Sequence, residues 1–137
     1  MNGTNVTELG QGGGMMGLSA DYTPPSRFVR ATYLKQFAYK ASNSSEAIQL
    51  AGHILNNVDM ATGVARATDG KQTFSDYTQW INLKDLKNNR MKIANYANRT
   101  SFIEIDLNQV FKSGKSKTWQ IDKLPFPKND LTAELLK

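Results

Sequence analysis

Two adjacent prolines, Pro24 and Pro25, stiffen the backbone immediately ahead of the stretch Ser26-Arg-Phe-Val-Arg30. Each pyrrolidine ring holds φ at about −65°. Asp21 can bond its own backbone, so Asp21 to Pro25 reads as a tight turn. Ser26 then reads as a helix N-cap and Arg27 as a residue of the first helical turn. A cation at that end opposes the helix dipole, where an acid is the comfortable choice. Such a placement points to a positive charge that serves something outside the helix. A surface arginine bonded to the preceding loop is the plain alternative.

Downstream of the prolines, Phe28, Ala31, Leu34, Phe37, Ala38 and Ala41 recur at helical spacing and predict a helix from about Ser26 to Ala41. Ser42-Asn-Ser-Ser45 ends it, and Ser44 or Ser45 is placed to cap a second helix with Ile48, Ala51, Leu55 and Val58 on one stripe. Two amphipathic helices within 26–58 predict a helical layer over one side of a sheet. Tyr77 to Leu83 alternates with period two, and Lys84 to Asn89 supplies a turn. Arg90 to Tyr96 and Ser101 to Asp106 continue as a meander, which places antiparallel strands across 76–107. Residues 1–25 read as a Gly/Pro-rich connector and 112–137 as a polar tail, where Pro125 and Pro127 oppose regular structure.

Several chemistries lack their residues. The chain has no cysteine, which removes disulfides and thiolate metal sites, and one histidine, His53, on which any histidine metal site or catalytic triad would have to be built. No acid or nucleophile is placed around it in sequence, so a helix-surface or packed histidine is expected. Gly10, Gly12, Gly13 and Gly14 lack the Gly-Lys-Ser/Thr ending of a phosphate loop, and Gly114-Lys-Ser fails in the same way. The net charge of +5 comes from residues 81–137, with eleven basic and six acidic side chains, whereas 1–80 are balanced at six each. Those cations lie in turns beside acids such as Asp85 and Asp122 without interleaved aromatics, which favours a solvated face over a nucleic-acid surface. No apolar run approaches the roughly 18 residues that span a bilayer. The opening Met-Asn-Gly-Thr does not read as a secretory signal. Asn2, Asn5, Asn43 and Asn98 begin N-glycosylation patterns, at a frequency that chance explains in an asparagine-rich chain. Trp80 and Trp119 read as core or sheet-face residues. A processed Thr4 or Thr7 as an N-terminal nucleophile would sit on a Gly-rich arm, where catalysis needs a rigid support.

Leu18-Ser-Ala-Asp-Tyr-Thr-Pro-Pro-Ser-Arg-Phe-Val-Arg30 resembles the "LPGD…SRFVR" motif of the choloylglycine hydrolase and penicillin V acylase family, linear-amide C–N hydrolases of the N-terminal-nucleophile superfamily. Leu9 to Gly14, His53 to Val58, Asp76 to Trp80, Asn95 to Thr100 and Ile103 to Leu107 resemble further family motifs in the same order. Where the family has Pro-Gly, this chain has Ser19-Ala20. The resemblance is to the C-terminal part of the family domain. It implies an α+β fold, with 1–137 supplying a helical layer and part of a sheet of an αββα sandwich. It also implies amide hydrolysis by a cysteine nucleophile carried on the N-terminal half, with Arg27 at the family's active-site arginine. Arg30 falls on the second arginine of the motif and carries no implied chemistry. The implied partners are a small-molecule amide substrate, that N-terminal half and further copies in a homo-oligomer, with no cofactor, metal, membrane or nucleic acid. Two alternatives stand beside it: an inactive truncated remnant or regulatory fragment, and a basic nucleic-acid-binding module. Substrate and compartment stay open.

Overall fold

The computed structural model describes residues 17–127 and 130–136. The order is α1 (Pro24–Phe37), α2 (Ser44–Asn56), β1 (Ala65–Asp69), β2 (Gln72–Asp76), β3 (Trp80–Asp85), β4 (Arg90–Asn95), β5 (Ile103–Asp106), α3 (Leu107–Ser113) and α4 (Thr132–Leu135). Single 3-10 turns fall at Tyr96–Asn98 and Ile121–Lys123. Strands β3, β4 and β5 form one antiparallel sheet in that order, and β1–β2 form a separate hairpin. The chain is thus α+β, as expected.

Alternation along β3 sends Ile81 and Leu83 to one face, where both are buried, and Trp80, Asn82 and Lys84 to the other, where all are exposed. Pairing Ile81 with Ala94 and Leu83 with Lys92 extends the first face across β4. Helix α2 covers that face. Gly52 is buried, and a methyl group added there would meet Leu83 Cδ1 at an ordinary contact distance of 3.6 Å. The helix backbone therefore passes over Leu83 with room for one further methyl group. Among the described residues, Met60, Ile81, Leu83 and Ala94 are the buried apolar ones, and no large side chain is wholly enclosed. The second face carries Trp80, Met91, Ile93, Ile103 and Ile105, an apolar set in which Trp80 is 53% exposed and the others half-buried.

Several boundaries differ from those expected. Helix α1 starts at Pro24 with Thr23 as N-cap, because the Ser26 hydroxyl turns back to Asp21 instead of capping. It ends at Phe37, since Ala38 is extended, and its Phe28 and Phe37 are 71% and 69% exposed. Asn43, not Ser44 or Ser45, caps α2. Its Oδ1 accepts from the Glu46 backbone N–H (3.0 Å), while the Glu46 carboxylate accepts from Ser42 N (2.8 Å) and Asn43 Nδ2 (2.9 Å). This reciprocal arrangement is a capping box, readable as Asn-x-x-Glu. Strand β3 begins at Trp80, later than Tyr77. The hairpin β1–β2 was not anticipated, although its two-residue turn, Gly70-Lys71 between the paired Asp69 and Gln72, has glycine at the first central position, where φ is 58°. The polar tail holds α4, and α3 crosses its expected start, ending at a left-handed Gly114. Trp80 lies on the sheet face, whereas Trp119 lies beneath Lys117 Nζ at 4.5 Å. The Gly10–Gly14 run, Thr4, Thr7, Asn2 and Asn5 fall outside the described residues.

Gly52→Ala should raise stability by about 0.5–1 kcal/mol, because the added methyl group meets Leu83 without overlap and alanine favours helix. A urea midpoint that falls would show that the helix already touches the strand.

Candidate functional site

The two prolines at the start of α1 remove two backbone N–H groups that a helix N-terminus normally offers to an anion. Positive charge at this end must therefore come from a side chain. Arg27 supplies it from the first turn, its backbone N–H closing on Thr23 O at 3.0 Å. Its side chain is half-buried, and its Nε is buried without a hydrogen-bond partner among the described residues. No described carboxylate lies within ion-pair distance of it. Among the described residues the guanidinium thus has no counter-charge.

The loop ahead of Arg27 is held from two sides. Asp21 Oδ1 accepts from Thr23 N (2.8 Å) and from the Thr23 hydroxyl, and Oδ2 accepts from Ser26 Oγ (2.7 Å). Ser26 is 6% exposed, so that bond is shielded from solvent on the serine side. These donors lower the Asp21 pKa from 3.8 to about 2, the Thr23 hydroxyl contributing most and Ser26 next. Arg30 Nη1 donates to Ser19 O (3.1 Å) and Asp21 O (2.9 Å). Arg30 is therefore a loop anchor, and Ser19 takes part in the loop through its backbone.

The other sequence candidates lie elsewhere. His53 is exposed on α2 and shares the rim of a cavity of about 300 Å³ with Asn56, Lys92 and Arg99. Among the described residues no group of three or more His, Asp or Glu side chains is placed to hold a metal. Arg90 and Lys92 pair with Glu104 across β4 and β5, so these two cations lie on a strand beside an acid and not in a turn. The amide nitrogens of Asn43 and Asn98 are both occupied in hydrogen bonds. Sequence reasoning gave no role to Arg99, whose Nε contacts Asp59 Oδ1 at 2.7 Å and ties the loop after α2 to the turn after β4. Both of its terminal nitrogens are buried without partners among the described residues.

The pattern of linear amide C-N hydrolases, choloylglycine hydrolase family, matches residues 1–110, most of the chain and all of this site. The chain belongs to that family. It is 36% identical over 122 residues to a bile salt hydrolase/transferase of Clostridium perfringens, covering 87% of this chain and 35% of that protein. A bile salt hydrolase/transferase of Lactiplantibacillus plantarum is 34% identical over 74 residues, covering 54% of this chain and 23% of that one. In three dimensions, a crystal structure of a mutant conjugated bile acid hydrolase from Clostridium perfringens superposes with a TM-score of 0.59 at 29% identity, covering 90% of this chain and 34% of that one. The chain thus spans about a third of the length of these relatives.

With a folded-state pKa below its ordinary value, ionised Asp21 supports the loop above about pH 4, and this support is lost as pH falls through about 2. Carboxyl carbon shifts followed by NMR should place Asp21 near 2 and show its pKa rising in Ser26→Ala. An Asp21 that titrates at 3.8 in both proteins would remove the clamp.

Proposed function

We propose that this chain is the arginine-bearing part of an N-terminal-nucleophile amidohydrolase that cleaves linear amides, with conjugated bile salts as the favoured substrate class and penicillin V as the second. The observation that carries this reading is Arg27, whose guanidinium has no counter-charge and whose Nε has no partner among the described residues, standing at the position that resembles the family's active-site arginine. The preference for bile salts follows the similarity to bile salt hydrolase/transferases. The nucleophile is a cysteine on a separate N-terminal portion, because this chain holds none. Its thiolate attacks the amide carbonyl, the amine leaves with a proton, and water releases the acyl group. Arg27 holds positive charge by the sulfur, favouring thiolate, and compensates the negative charge that develops on the carbonyl oxygen.

The partner for this reaction is the N-terminal portion itself. The second sheet face, with Trp80, Met91, Ile93, Ile103 and Ile105, is the apolar surface an apposed sheet would cover in an αββα sandwich. A second reading rests on the missing cysteine: a non-catalytic remnant with the fold and without the activity.

The purified chain alone should hydrolyse neither glycine-conjugated bile salts nor penicillin V. Turnover that survives repurification and scales with this chain would overturn the assignment of the nucleophile to another portion. Fused behind a cysteine-initiated N-terminal part from a family member, the chain should hydrolyse conjugated bile salts. Arg27→Ala should then lower kcat about a hundredfold, roughly 3 kcal/mol of barrier. Arg27→Lys keeps the charge and loses the planar fork, so its loss measures guanidinium geometry. A fusion that folds but stays inactive favours the remnant, and unchanged activity in Arg27→Ala refutes the role given to that residue.

A further inference from the structure

We infer that Asp21 is a positioning residue for Arg27, acting through Ser26 and the helix start, while its two oxygens are so fully occupied by neutral donors that it does not neutralise the arginine it places. This inference rests on the amidase reading of Arg27 given above. An acid six residues from a catalytic cation is an obvious rival for it, since an ion pair would quench the charge that the reaction needs. Here Asp21 Oδ1 is taken by the Thr23 backbone and hydroxyl, and Oδ2 by Ser26 Oγ. Thr23 Oγ1 also lies 3.2 Å from Ser26 Oγ, which closes the three side chains into one small network.

The network fixes the helix start directly. Thr23 caps α1 through its backbone alone, with no side-chain capping bond of its own. Its hydroxyl is spent on Asp21, which thereby holds the N-cap residue from two positions further back. Ser26, buried and one residue ahead of Arg27, is gripped by the carboxylate from below the first turn. Arg30, one turn on, holds the Ser19 and Asp21 carbonyls. The loop is thus tied to the helix at Ser26 and Arg30, on either side of Arg27. Pro24 and Pro25 remove the backbone freedom that would otherwise loosen the tie. Placement of a charge-stabilising group to within a fraction of an ångström is worth large factors in rate.

The distinction between geometry and charge can be tested in the fused enzyme. Asp21→Ala leaves the Ser26 and Thr23 hydroxyls without their acceptor and should lower kcat about tenfold or more with little change in KM. Asp21→Asn should restore most of the rate. Its oxygen can accept the Thr23 bonds and its amide can donate to Ser26 Oγ, so it preserves the clamp without the charge. In an Arg27→Ala background, Asp21→Ala should cost nothing further, since there is no arginine left to place. Ser26→Ala, which removes the bonds to Asp21 and Thr23 but leaves Thr23 on Asp21, should show a smaller loss of the same kind and serves if Asp21→Ala does not fold. A full rate in Asp21→Ala, or a loss that persists undiminished in the Arg27→Ala background, overturns the positioning role. Arg27→Ala with unchanged activity would instead refute the amidase reading. The clamp is then judged on the Arg27 Nε–H resonance, which must shift or exchange faster in Asp21→Ala and overturns the inference if it does not.

Discussion

Helix α2 lies across β3 with Gly52 over Leu83, and the rest of the described structure is organised around that packing. It sets which sheet face is covered, and alternation then decides the fate of every strand residue. Ile81, Leu83 and Ala94 fall beneath the helix and form most of the small core. Trp80, Met91, Ile93, Ile103 and Ile105 fall on the face that α2 does not reach. Helix α1 reaches the sheet layer by packing against α2, so the position of Arg27 depends on the same contact one step removed.

That order of dependence explains how a chain with few fully buried side chains can still present a defined site. The precision at Arg27 comes from hydrogen bonds within Ser19–Arg30, which need no large core: an aspartate with three donors, an arginine on two carbonyls and two prolines. The catalytic partner and the bulk of the hydrophobic burial are proposed to come from the same N-terminal portion. On this account, completing the core and completing the active site are one event.

Much of this was legible in sequence, and the exceptions have physical causes. Period-two alternation located β3, β4 and β5 to within a few residues, because a sheet covered on one side by a helix sorts its residues by face. Helical spacing located α2. The start of α1 was misplaced because Ser26, a good cap by type, has its hydroxyl drawn to Asp21. The hairpin β1–β2 escaped because Ala65–Asp76 is polar and almost wholly exposed, so no burial pattern marks it and only the glycine of the Gly70-Lys71 turn speaks for it. At the site, the place of Arg27 in the first helical turn was readable from the prolines, whereas the loop anchor expected as an alternative for Arg27 is made by Arg30 instead. The Asp21–Thr23–Ser26 network was not, since three short polar side chains in a turn can pair in several ways. The Arg99–Asp59 pair joins residues forty positions apart, and neither side chain carries a local pattern that announces the other.

The central claim is that this chain completes its fold only against the N-terminal portion of a choloylglycine hydrolase domain. Light scattering with a thermal melt tests it most directly, on the chain alone and mixed with a cysteine-initiated N-terminal portion from a family member. The account predicts an associating, weakly cooperative chain when alone, and a monodisperse one-to-one complex with a single sharper transition when mixed. A monodisperse monomer with a sharp cooperative melt, unaltered by the added portion, would contradict it.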